Sequence, residues 1–172
     1  ARGGDELNLP EAGLNYGWPE VAYGITYDGE PIEGGITQSA ETEQPVYYWD
    51  PVIAPSGMAY YRGDEFPEWE NVFLVGGLVA QAVVVLHMEE DRVAQERHVE
   101  VGERVRDVRV GPDGAVFLAD VASGGVPGNP RSAQGGYVPA RVAPVRPQTG
   151  PLAGAQRRGR SRAPESAHPD AD

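Results

Sequence analysis

Between residues 46 and 118 every apolar stretch is short and closed by Gly, Pro or Asp. The runs are Val46–Trp49, Gly57–Tyr61, Val72–Val75, Ala82–Leu86, Val105–Val110 and Ala115–Leu118. Segments of four to six residues rich in Val, Leu and aromatics, punctuated by turn formers, read as strands rather than helices. The clearest turn is Val110-Gly-Pro-Asp-Gly-Ala115. Pro112 presets φ for the turn and Gly114 can take the positive φ that closes it, so Val105–Val110 and Ala115–Ala119 are expected to form a hairpin. Asn71–Gly76 and Gln81–Met88 read as a second pair. Arg92–Glu100 alternates loosely and suits an outer, wetter strand. Glu89–Arg97 is its helical competitor, but it lacks an apolar stripe. Evenly spaced short strands point to an all-β sandwich, barrel or propeller. In the propeller case Val72 to Leu118 would fill one four-stranded blade or slightly more. The polar, Gly-rich residues 23–45 are long for a connection, a length usual for functional or disordered loops.

The chain divides near residue 125. Residues 1–125 form the foldable part, and 126–172 are dominated by Pro, Gly, Ala, Ser and Arg. That tail cannot bury enough apolar area to offset its ordering entropy and is expected to be disordered. A nucleic-acid-binding arm is a weaker reading, with Tyr137 as its lone aromatic, and out-of-frame translation of GC-rich DNA is a third. All 14 basic residues are Arg. Seven of them face 23 acids before residue 126, a formal charge of −16, and seven face three acids after it, +4. A body this acidic repels nucleic acid and anionic lipid. It suits either a hard cation such as calcium or a solvated acidic surface. The chain has no Cys, which excludes disulfides and thiolate metal sites. No apolar run is long enough to span a membrane.

Four constellations carry possible chemistry. Arg2-Gly-Gly-Asp-Glu-Leu-Asn8 with Asn15-Tyr-Gly-Trp-Pro19 could build an oxygen-rich cation site or a capped turn beside a packed Tyr-Trp corner. Tyr47-Tyr-Trp-Asp-Pro-Val-Ile-Ala-Pro-Ser-Gly57 could line a pocket for a planar ligand or supply core aromatics. Arg104 and Arg106 lie two apart on a strand, so both face one way. Two adjacent guanidiniums need an anion between them, either a polycarboxylate ligand or neighbours such as Glu103 and Asp107. His87 and His98 sit on charge-flanked strands and read as solvated surface, and His168 lies in the tail. No Ser-His-Asp set, phosphate loop or nucleotide fingerprint is visible.

Taken in order, Gly3-Gly-Asp-Glu-Leu-Asn8, Asn15-Tyr-Gly-Trp-Pro19, Tyr48-Trp-Asp-Pro-Val-Ile-Ala-Pro-Ser-Gly-Met58, Gly63-Asp-Glu-Phe-Pro-Glu-Trp69, Glu103-Arg-Val-Arg-Asp-Val108 and Gly111-Pro-Asp-Gly114 resemble the soluble glucose/sorbosone dehydrogenase family. The likeness is to its aldose sugar dehydrogenase branch and covers about residues 2–120. It implies a six-bladed β-propeller that uses pyrroloquinoline quinone (PQQ) and calcium to oxidise the C1 hydroxyl of aldoses to lactones. A His base takes the proton, hydride passes to the quinone and a downstream acceptor takes the electrons. By the resemblance Arg104 and Arg106 pair with cofactor carboxylates, the Trp49–Pro55 loop with Trp49 and Val52 borders the cofactor, and Glu6 with the Tyr16 carbonyl holds a structural calcium. It also implies periplasmic or secreted location.

The family's catalytic His and a Gly-Pro pair that holds the active calcium belong upstream of Ala1. Val79 stands where some relatives carry a cofactor-contacting Lys, and the ring-closing strand should follow Asp120. The expectation is therefore a partial propeller of about two blades plus edge strands, inactive alone. A non-enzymatic propeller-type binding module with a decayed cofactor site is the alternative.

Overall fold

The computed structural model describes residues 2–121. The expectations for 126–172, His168 and the strand after Asp120 fall outside the described residues. Among the described residues eight strands form three antiparallel sheets. β1 (Asp5–Leu7) pairs with β2 (Tyr47–Trp49). β3 (Pro55–Tyr60), β4 (Val72–Gly77), β5 (Ala82–Glu89) and β6 (Arg92–Glu100) form a four-stranded meander in chain order. β7 (Arg104–Val110) and β8 (Val116–Val121) form the hairpin anticipated around Gly111-Pro-Asp-Gly114. Gly114 takes φ +82°, and the turn closes with Gly114 N–H donating to the Gly111 carbonyl. Besides strands the described residues hold only two 3₁₀ turns, Ile32–Gly34 and Pro67–Trp69, and no helix long and apolar enough to cross a membrane.

β5 explains how the sheets stack. Its residues Ala82–Leu86 are buried without alternation, because successive side chains of a strand serve opposite faces and here both faces are covered. Val83 and Val85 join Tyr61, Phe66, Trp69, Val72 and Leu74 in a core shared with Val105, Val108, Val116 and Leu118 of the hairpin. Val84 and Leu86 point the other way, into a second core with Trp49, Ile53 and Val75, backed by Leu7 and Tyr47 of the β1–β2 pair. Fully burying each such Val or Leu favours folding by roughly 1.5–3 kcal/mol. The four-stranded sheet is thus sandwiched between two others, the packing of consecutive propeller blades. The chain is an all-β partial propeller with one full blade flanked by parts of two more.

The blade's frame differs from the sequence expectation. It runs from Pro55 to Glu100, not from Val72 to Leu118. Gly57 to Tyr60 lie within its first strand, with Tyr61 just beyond, and β7–β8 opens the next sheet. The reason is tertiary: β7 does not pair with β6 but packs across β3 and β4. β6 is the outer edge strand, as its loose alternation suggested. The long connection from β1 to β2 carries little regular structure, tied back by bridges from Ile25 to Arg2 and Pro31.

Candidate functional site

Three segments carry the site residues expected from the sequence; Glu6 and Trp49 share one cleft, and Val52, Tyr16, Arg104 and Arg106 are not among its lining. The first is the loop after β2. Trp49 is buried in the second core, and its Nε1 donates to Glu96 Oε1 at 3.1 Å. The same residue borders a cleft of about 310 Å³ shared with Glu6, Asn8, Pro55, Ser56 and Met58. Asp50–Pro51 is cis, Val52 is half-buried and Ala54 has a positive φ of +51°. The other aromatics of this motif serve packing: Tyr48 stacks on Tyr23 with ring centres 4.1 Å apart, and Tyr47 meets Trp49 edge-on.

The second segment is β7. Its ladder pairs Val105 with Asp120 and Asp107 with Ala119, leaving Arg106 as the extra residue of a β-bulge. The bulge lets both Val105 and Val108, three apart, reach the core. Arg104 and Arg106 remain exposed, on the side opposite Val105. Asp107 binds Arg109 at 2.9 Å and its own neighbour's amide, Val108 N–H, also at 2.9 Å. Among the described residues the ion pairs are Arg92–Glu89, His98–Glu96 and Arg109–Asp107, and none of them engages Arg104 or Arg106. β7 is locked to the blade by Ser56, whose hydroxyl lies 2.9 Å from the Gly76 carbonyl and 2.8 Å from that of Val105.

The third segment is β1. Burial pushes the Glu6 carboxyl above the ordinary range, opposed by a hydrogen bond from Asn8 Nδ2 at 3.2 Å. Asn8 Oδ1 is buried without a partner. Glu6 and Asn8 therefore bring a carboxylate and an orphaned amide oxygen to one cleft, a donor set suited to a hard cation. Tyr16 is not hydrogen-bonded to Glu6; its hydroxyl donates to the Leu9 carbonyl and accepts from Glu11 N–H. Trp18 is 69% exposed, so the packed Tyr-Trp corner is not formed. No group of three or more His, Cys, Asp or Glu side chains is placed to hold a metal among the described residues.

His98 is an exposed surface group, as its charged flanks suggested, whereas His87 is not. His87 is half-buried with Nε2 unpartnered, and burial, then Arg97, holds it below its ordinary pKa. His98 Nε2 lies 2.5 Å from Glu96 Oε1. Glu96 also accepts from Tyr47 Oη and Trp49 Nε1, tying the edge strand β6 to β2. Burial would lift the Glu96 carboxyl, but the donors from His98, Tyr47 and Trp49 outweigh it and hold it low. The hydrogen bond that His98 donates to Glu96 raises the His98 pKa. Sequence gave no signal for this cluster, since Tyr47 and Glu96 are 49 residues apart.

A pH dependence of this cluster follows. Raised His98 contributes stability below its unfolded value and loses it as pH climbs through the folded one; lowered Glu96 contributes above its unfolded value and loses it as pH falls. Both contributions are present together between about pH 4.3 and about pH 6.5. The Glu96–His98 contribution, read as the Tm of the wild type minus that of Glu96→Gln, should be largest in that window and shrink on either side of it. A Tm–pH curve unchanged by the substitution would contradict the clamp.

The sheet packing defines a β-propeller, and comparison with known proteins defines which. The family model for Glucose / Sorbosone dehydrogenase matches residues 1–126, and the chain belongs to that family. It is 45% identical over 129 residues to the aldose sugar dehydrogenase YliI of Escherichia coli (strain K12), covering 72% of this chain and 34% of that protein. Among solved structures it superposes on a glucose dehydrogenase with TM-score 0.66 at 47% identity, covering 68% of this chain and 35% of the other. The soluble aldose sugar dehydrogenase of Escherichia coli, in its apo form, gives TM-score 0.64 at 43% identity, with 68% and 35% covered. The chain thus spans about a third of the length of these relatives.

Proposed function

We propose that this chain supplies the two-arginine side of a PQQ site in a sugar dehydrogenase that oxidises the C1 hydroxyl of aldoses to lactones. The observation that carries the reading is the pair of exposed guanidiniums on one strand, Arg104 and Arg106, with no anionic partner among the described residues. PQQ is a planar tricarboxylate, and Arg forks match carboxylates bidentately. When bound, PQQ would supply the hydride acceptor and calcium the polarising charge. The chain's own residues bind and orient: Arg104 and Arg106 take carboxylates, and Trp49 and Val52 border the ring. Glu6, with Asn8 Oδ1 and the Tyr16 carbonyl, would hold a structural calcium. In this reading neither described histidine is the base: His98 is engaged by Glu96, and His87 is half-buried on β5 near Arg97. The base would come from a part of the enzyme beyond these residues. A separate electron acceptor and export to the periplasm or cell exterior go with this reading.

The test is a titration of the 172-residue chain with PQQ in calcium-containing buffer, followed by tryptophan fluorescence. Saturable binding is expected, without sugar-dependent dye reduction. Absence of binding would favour a propeller module with a decayed site, and turnover would refute the assignment of the base elsewhere.

A further inference from the structure

Ile53 and Ala54 follow Val52 directly, and every backbone polar group of the two is held. On one side a single carboxylate oxygen, Asp5 Oδ2, accepts both amides, Ile53 N–H and Ala54 N–H, each at 2.9 Å. On the other side the β4–β5 turn donates to their carbonyls: Leu78 N–H to Ala54 at 3.0 Å, and Val79 and Ala80 N–H to Ile53 at 3.0 and 3.2 Å. Between these two holds Ala54 sits at φ +51°, a backbone conformation that residues with a Cβ adopt only when their surroundings impose it. Asp5 reaches this loop because β1 pairs with β2 in a register that sets Asp5 opposite Trp49. Gly3 and Gly4, at φ +77° and +75°, bring the chain in beside it, with no space for a Cβ against Asp50 and Gly24.

We infer that Asp5 is a positioning residue for the cofactor rim: through the Ile53 and Ala54 amides it sets the path of the Trp49–Pro55 loop, and with it Val52, facing the ligand. This rests on the PQQ reading above. The immobile loop presents a fixed wall, so the ligand does not have to order it on binding. Asp5 itself touches backbone amides and acts through them.

Asp5→Ala and Asp5→Asn, made in the 172-residue chain, test this with two readouts. Asp5→Ala should speed hydrogen exchange at the Ile53 and Ala54 amides at least tenfold, leave the Val84 and Val85 amides protected, and weaken PQQ binding about tenfold or more. Asp5→Asn keeps an oxygen that can accept both amides, so it should recover most of the affinity and protection. Unchanged affinity in Asp5→Ala, with only Tm lowered, would reduce Asp5 to a purely structural residue and overturn the inference. Equal loss in Asp5→Asn, with the amides still protected, would mean that the charge acts on the ligand directly and would also overturn it. Should Asp5→Ala fail to fold, the Asp5→Asn pair of readouts decides alone. A wild-type chain that does not bind PQQ would sink the cofactor reading and this role together, an outcome distinct from a loss confined to the variants.

Discussion

Replacing Arg104 and Arg106 together by alanine should abolish PQQ binding at concentrations that saturate the wild-type chain, with little change in stability. Both side chains are exposed, and no side-chain bond among the described residues depends on them. Exposed substitutions of this kind usually move stability by less than about 0.5 kcal/mol. The binding loss is another matter. A hydrogen bond to a charged group contributes about 1.5–3 kcal/mol, so each arginine accounts for roughly 10- to 150-fold in affinity. The two are neighbours that share one ligand, so their losses will not simply add. Arg104→Lys with Arg106→Lys separates charge from geometry. It should restore only part of the affinity, because an ammonium lacks the planar fork that grips a carboxylate in two places. Fluorescence titration reads the affinity, and thermal unfolding reads the fold. Alanine variants that bind as tightly as wild type would remove the arginines from the site.

Gly57→Ala should destabilise the domain by about 3 kcal/mol, the upper end of the usual overpacking cost. A Cβ there would lie 2.0 Å from Asp107 Oδ1 and 2.8 Å from Asp107 Cα. The carboxylate can swing aside, but the Cα cannot, so β3 and β7 would have to separate. That movement would strain the Ser56 hydroxyl's contact with the Val105 carbonyl and loosen the core that Val105 and Val108 close. Asp107→Ala added to Gly57→Ala should therefore fail to restore stability. Gly102→Ala is the control. It meets nothing within 4 Å, and its φ of +76° is its sole penalty, about 1 kcal/mol. Urea unfolding midpoints rank the three. Equal costs for Gly57→Ala and Gly102→Ala would show that the blades tolerate a wider spacing.

These sites differ in how far the sequence exposed them. The β7–β8 hairpin was legible because Pro112 and Gly114 dictate a turn within four residues. β6 was legible as an outer, wetter strand because its polar and apolar residues alternate loosely. Arg104 and Arg106 stood out since two guanidiniums on one strand face demand an anion. The blade's first strand was obscured: β3 begins Pro55-Ser-Gly57 and is bulged between Pro55 and Met58, which breaks the alternation that marks a strand. Glu96 and Asp5 were opaque as cluster and clamp, because their partners lie 47 to 49 residues away. Residue spacing encodes periodicity and turns; it does not encode which distant amide a carboxylate will meet.

The sequence alone therefore determined the all-β class, the strand-turn punctuation, the acidic surface and the motif order that marks a glucose/sorbosone dehydrogenase. Those properties are local, set by side-chain volume, φ preference and charge within a few residues. The tertiary structure decided the blade frame from Pro55 to Glu100, the contact of the two bulged segments at Gly57 and Asp107, and the hold of Asp5 on the loop beside Val52. Each of these depends on which sheets stack, and stacking is settled by burying both faces of β5 at once.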